Sequence, residues 1–175
     1  VIEKALADPD RETRLVAIRA AVKTGAEELI LPMKRMLGTA DEDLRRELLH
    51  ALVDLGERTV MGKPVSGMLV PDLQHAKVSY RWKAIDSLLL LADPDAAGPI
   101  AGCLKDKESF VRLKAAEGLG RLKARAAFPA LVEALDDEEF EVQEAAKESL
   151  EKISGQRLGF DPEAWRTWWK SQPKQ

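Results

Sequence analysis

The sequence predicts an all-α solenoid, a stack of five helical hairpins closed by a tryptophan-rich helix, and three observations carry that prediction. The first is self-similarity. Phe110–Leu122 (FVRLKAAEGLGRL) superposes without a gap on Ser79–Leu91 (SYRWKAIDSLLLL) and on Glu141–Ile153 (EVQEAAKESLEKI), at an offset of 31 residues each time. The second is composition: 45% of residues are apolar but only 5% aromatic, so the core must be built from Leu, Ala, Val and Ile, which suits helices. The third is periodicity. Val142–Ile153 carries apolar residues at helical spacing, Val142, Ala145, Ala146, Leu150 and Ile153, and no segment joins period-2 alternation to β-branched residues and turn dipeptides, so no strands are expected.

Five anchor leucines, Leu6, Leu37, Leu73, Leu104 and Leu135, order the units; their spacings are 31, 36, 31 and 31, so the joint after the second unit carries five extra residues. The units span about 1–25, 26–56, 62–92, 95–124 and 126–155. In the first, Leu6 belongs to helix A and Thr13–Thr24 (TRLVAIRAAVKT) forms helix B; in the second, Leu44–Leu55 (LRRELLHALVDL) repeats that helix B. Gly56–Gly67 (GERTVMGKPVSG) is the one irregular insertion. It reads either as a working loop or as a longer turn, with Met61 and Met68 tucked into the core. Units three to five supply the aligned B helices given above. Pro32, Pro71, Pro99 and Pro129 fall near the start of helix A, or at a bend in it, in units two to five, where a missing N–H costs least. One hairpin of this size cannot bury its own apolar face, so neighbours must stack.

After Gly155 the repeat stops. In GFDPEAWRTWWKSQ, Asp161 suits the N-cap, Pro162 the first helical turn, and Glu163 the positive helix end. Trp165, Trp168 and Trp169 then share one face, and segment 156–175 is expected to cap the last repeat, with a binding site as the other reading.

The segments LADPDRETRLVAIRAAVKTG (6–25) and LKDKESFVRLKAAEGLGRL (104–122) resemble HEAT repeats of the short bacterial type, the variety found in phycobilin-lyase-like proteins. The shared features are an Asp between the helices, an Arg six residues later and a following Ala-rich face, and they cover residues 1–155. The resemblance implies a right-handed α-α superhelix whose B helices line a concave groove. It also implies that Asp8, Arg14, Arg45, Arg81, Asp106, Arg112 and Asp137 form a structural ladder between neighbouring repeats, an anion-binding row being the other reading of the same residues. Unit two departs with Thr39 at the Asp position, unit three with His75, and unit five with Gln143 at the Arg position.

Function follows less directly. The balance of 27 Lys+Arg against 30 Asp+Glu, net −3, lacks the basic excess of nucleic-acid binders. No apolar run approaches a membrane span. Cys103 lies between apolar neighbours and reads as a buried thiol; His50 and His75 have no metal-ligand spacing, and neither a phosphate loop nor a nucleophile–base pair is present. No catalytic, metal or cofactor residue is therefore assigned, and the chain is expected not to be an enzyme. Outward positions of the B helices form the rows Arg19, His50, Asp86, Glu117, Glu148 and Leu15, Arg46, Trp82, Leu113, Glu144. The candidate surface for a protein partner is Arg19, Arg46, His50, Trp82, Asp86, Leu113, Glu117 and Glu148, with Trp82 and Leu113 as anchors. The alternative is an enzyme or enzyme subunit on the same scaffold. It would be phycobilin-lyase-like, or similar to alkylpurine DNA glycosylases through Trp82, Asp86 and Arg121. Val1 opens directly into an apolar-periodic stretch without a capping residue, which reads as a fragment or a processed product, part of a longer chain; the compartment stays open between the cytoplasm, slightly favoured, and an export route whose signal peptide has been removed.

Overall fold

The computed structural model describes residues 2–173; expectations that rest on Val1, or on residues 174–175 of the capping segment, lie outside them. The chain divides into two compact units, Val1–Pro71 and Asp72–Gln175.

In the first unit, α1 (Ile2–Leu6) packs on α2 (Arg11–Thr24), and α3 (Ile30–Met36) packs on α4 (Glu42–Asp54), which also lies against α2. Local chemistry sets the ends. The Asp10 carboxylate accepts the Thr13 amide at 2.7 Å, and Gly25, in the left-handed region at φ +62°, closes α2. The Asp41 carboxylate accepts the Leu44 amide at 2.8 Å to start α4. Leu6, Ile18, Ala21, Met33, Leu48 and Leu52 form the core.

The insertion after α4 corrects the expectation of no strands. Thr59–Val60 (β1) pairs antiparallel with Lys63–Pro64 (β2) before α5 (Val65–Leu69), which packs on α4. Met61 (φ +52°) and Gly62 (φ +72°) are the two residues of the turn, the positive-φ pair that two-residue hairpins need. Met61 is therefore 71% exposed rather than in the core, while Val60, Val65 and Ser66 of the insertion are buried. Pro71 also differs from the other prolines. It falls in the 3-10 turn Val70–Gln74 that follows α5, at the end of the third A helix, whereas Pro129 occupies the first turn of its helix.

In the second unit the B helices are α6 (Val78–Leu91), α8 (Ser109–Arg121) and α10 (Phe140–Ser154), and the A helices are α7 (Ala97–Gly102) and α9 (Phe128–Glu133). Helix α8 packs on both α6 and α10. Two glycines set that spacing. A Cβ on Gly118 would lie 2.8 Å from Leu89, and one on Gly120 would lie 2.9 Å from the Ser149 Cα, so α8 and α10 meet backbone to backbone. Ser149 uses the closeness to donate to the Ala116 carbonyl at 2.7 Å. Finally α11 (Pro162–Lys170) lies on α9.

Candidate functional site

Two polar constructions recur along the chain, and both are built from the residue pattern of the repeat. The first sits between helices A and B. The Asp two residues after each anchor leucine turns its carboxylate back onto its own loop: Asp8 accepts the Asp10 amide at 2.8 Å, Asp106 the Glu108 amide at 2.9 Å, and Asp137 the Glu139 amide at 3.0 Å. His75, at the same position, does this with Nδ1, accepting the Lys77 amide at 3.0 Å. The substitution thus keeps the turn. The arginine six residues later closes the same loop with Nη1: Arg14 donates to the carbonyls of Asp8 (2.7 Å) and Pro9 (2.8 Å), and Arg112 to those of Asp106 (2.9 Å) and Lys107 (3.3 Å). Arg81 does so on His75 (2.9 Å) and Ala76 (3.2 Å). Gln143 preserves one such bond, Nε2 to the Asp137 carbonyl at 2.6 Å.

The remaining nitrogens of the fork reach the next repeat. Arg81 Nε and Nη2 grip Asp106 at 2.6 and 2.8 Å, and Arg112 grips Asp137 at 2.7 and 2.8 Å, both bidentate and both nearly sealed from solvent. Burial works to raise the Asp106 and Asp137 carboxyls, but the arginine hydrogen bonds, the loop amides and the guanidinium charge outweigh it and hold both below the usual range. The hydrogen bond that each arginine donates to its partner aspartate raises the arginine in turn. The ladder thus joins Arg to the Asp 25 residues on, and this explains Arg45, which the sequence pattern also placed in it. The residue 25 ahead of Arg45 is Val70, which carries no carboxylate, and Arg45 is exposed.

The second construction is the outward face of the B helices. It keeps some of the expected surface and loses some. Arg19, Glu117 and Glu148 are exposed, and Trp82, Asp86 and Leu113 are half-buried. His50 is 0% exposed and is withdrawn from the candidate surface: residues 48–53 are all buried, because α2, α3 and α5 surround α4 there. Leu15 is likewise buried. Arg46 is tied to Glu42 and, at 3.3 Å, to Asp43 of its own helix.

In the second unit this face alternates between closed and open. Between α6 and α8, Trp82 meets Phe110 edge-on at 6.0 Å, Lys114 lies 5.7 Å above the Phe110 ring, and Lys114 pairs with Asp86 at 3.8 Å. One repeat later the same four positions hold Leu113, Glu141, Ala145 and Glu117. The aromatic pair and the cation are gone, and a pocket of about 250 Å³ opens between α8 and α10, walled by Glu117, Glu141, Glu144 and Glu148 over Leu113 and Ala145. Lys152 is its one cation, 3.4 Å from Glu148. Phe110 and Glu141 lay outside the candidate list. They sit one position before the aligned apolar residues, where hydrophobic periodicity carries no signal.

The C-terminal helix is held by its own logic. The Asp161 carboxylate accepts the Glu163 and Ala164 amides at 2.9 and 3.3 Å with Pro162 in the first turn. Trp165 is fully buried and donates Nε1 to the Gly159 carbonyl at 2.8 Å. All three tryptophans converge on Phe128 of α9: Trp165 edge-on at 5.9 Å, Trp168 tilted at 5.4 Å and Trp169 stacked at 4.4 Å. Arg125 covers Trp169 at 5.0 Å. Cys103 is buried, and that burial pushes its thiol up to about 11. Among the described residues, no group of His, Cys, Asp and Glu could hold a metal ion, and no helix is long and apolar enough to cross a membrane.

A family model described as HEAT repeats matches residues 68–151. Among solved structures, the chain is similar to one in the complex of CpcE and CpcF of phycocyanin lyase from Nostoc sp. PCC7120. That match has a TM-score of 0.67 at 21% identity and covers 89% of this chain and 64% of that one. It is also similar to an engineered protein, with a TM-score of 0.58 at 19% identity, over 87% of this chain and 77% of that one. These likenesses show the fold: the chain spans less than two thirds of the lyase-complex chain it matches. No curated protein matches the sequence.

Proposed function

We propose, from the premise that this chain belongs to the HEAT-repeat proteins, that it is a non-catalytic interaction module holding a protein partner on the outward face of its B helices in the second unit. The observation that carries this reading is the break in the repeat at the α8–α10 step. Where the preceding step fills the space with Trp82, Phe110 and the Asp86–Lys114 pair, this one leaves an open pocket with four glutamates around Leu113 and Ala145. A face that the chain does not fill itself, beside a half-buried tryptophan, has the anchor-and-rim composition of a binding surface. Its charge favours a partner with cationic side chains around an apolar anchor.

The similarity to a chain solved in a two-protein lyase complex supports a protein partner. The glycosylase-like alternative gains nothing from the geometry. Trp82 is packed on Phe110, Asp86 is paired with Lys114, and Arg121 is exposed at the end of α8.

Panning the immobilised protein against a random peptide library tests the reading. Enriched peptides should carry Lys or Arg beside an apolar residue, and should lose binding to a Glu117→Lys, Glu148→Lys variant of unchanged helix content. Peptides without basic residues, or peptides that bind the variant equally well, overturn the assignment.

A further inference from the structure

The ladder has a gap in the first unit, and the gap is a pocket. In the second unit each ladder arginine spends Nη1 on its own loop and offers Nε and Nη2 to the carboxylate 25 residues ahead. Arg14 repeats the first half of this arrangement, on the carbonyls of Asp8 and Pro9. The residue 25 ahead of it is Thr39, whose hydroxyl turns back to the Met36 carbonyl, 3.4 Å away. The second acid that assists Arg112, Glu138 at 3.2 Å, is Ala40 at the equivalent place. Among the described residues, Arg14 Nε and Nη2 thus have no acceptor. Arg14, Thr39 and Ala40 line a pocket of about 490 Å³ whose other walls include Leu6, Met36 and Leu44.

We infer that this pocket binds a carboxylate on a short aliphatic stem, with the Arg14 fork making the bidentate contact that Asp106 and Asp137 make in the other repeats. Three features favour that ligand class. The fork is already oriented by two loop carbonyls, so little rotamer freedom is lost on binding. Two acids, Asp8 and Asp41, line the pocket itself, but each is engaged, Asp8 with the Asp10 amide and Asp41 with the Leu44 amide and, at 3.8 Å, with Arg11, and acids stand at the equivalent places of an occupied step, Asp106 and Glu139. A carboxylate is therefore tolerated in such surroundings. The volume exceeds that of a carboxylate alone, and Leu6, Met36 and Leu44 give its stem an apolar wall.

The stem has two possible sources, an acidic side chain of another protein or a free small dicarboxylic acid, and one titration separates them. The Nε–H resonance of Arg14 is followed in ¹⁵N-labelled full chain, assigned by its loss in Arg14→Lys. The probes are succinate and the blocked tripeptide Ac-Ala-Asp-Ala-NH₂, with sodium sulfate at matched ionic strength as the comparison anion. A saturable downfield shift with either carboxylate supports the site. Tighter succinate binding assigns it to a free acid, and tighter peptide binding to a protein side chain. Thr39→Asp, which keeps Arg14 and supplies the missing carboxylate within the chain, should displace the resonance without titrant and weaken both probes by about tenfold or more. An unmoved resonance, an equal response to sulfate, or full probe affinity in Thr39→Asp overturns the inference.

Discussion

Arg14 and Arg112 occupy equivalent positions in two repeats, close their loops with the same Nη1 bonds, and differ in what lies 25 residues ahead. Arg112 meets Asp137 with both remaining nitrogens, nearly out of solvent; Arg14 shares an open pocket with Thr39. One residue type thus converts a structural clamp into an unfilled binding geometry, without altering the helices around it. The α6–α8 and α8–α10 steps teach the same lesson on the other face. There the exchange of Lys114 for Ala145 and of Phe110 for Glu141 turns a filled space into a pocket. In a repeat protein, departures from the internal consensus mark candidate sites, because the consensus residues satisfy one another.

The contrast between the units can be broken or sharpened, and the largest effect is expected at the sealed end of the second. Trp165→Ala removes a fully buried indole from the Phe128 cluster and should cost about 4 kcal/mol in urea unfolding. A loss below about 1 kcal/mol would mean that α11 contributes little to the unit.

Next comes the clamp. Arg112→Ala leaves Asp137 buried without its cation and should cost about 3 kcal/mol, while Arg14→Ala, which strands no carboxylate, should cost about 1 kcal/mol. Equal losses would mean that the two arginines contribute alike, with or without a carboxylate partner. The same clamp predicts an acid limb. Because Asp106 and Asp137 are held below the unfolded carboxylate value of about 3.8, their contribution is complete above that pH and is lost as pH falls through their lowered folded values. The stability of Asp137→Asn should therefore fall less steeply with pH below about pH 4 than that of the parent, measured by urea unfolding at a series of pH values.

A smaller gain is expected from filling the gap. Thr39→Asp should raise stability by about 1 kcal/mol, measured by the shift in urea midpoint at unchanged slope. The smallest effect belongs to Gln143, which keeps only the loop bond to the Asp137 carbonyl; Gln143→Ala should cost less than about 1 kcal/mol in the same measurement.

Much of this molecule was legible in the residue order. The 31-residue offset, the anchor leucines and the cap at Asp161 specify the hairpins and the closing helix through local chemistry: hydrogen bonds within a few residues and apolar faces at helical spacing. The insertion was misread because the hairpin signal in Val60–Lys63 is short. Its strands are two residues each, and only the Met61–Gly62 turn marks them. His50 was placed outside for a related reason. Periodicity assigns one outward face to a helix, while α2, α3 and α5 together enclose the second half of α4.

The sequence by itself determined the repeat, its register and the residues at each equivalent position, since these depend on spacing along one chain. Only the tertiary structure decided which arginine meets which aspartate, which B-helix steps close, and where a pocket remains. Each of those depends on side chains brought within a few ångströms by stacking across 25 or more residues of sequence.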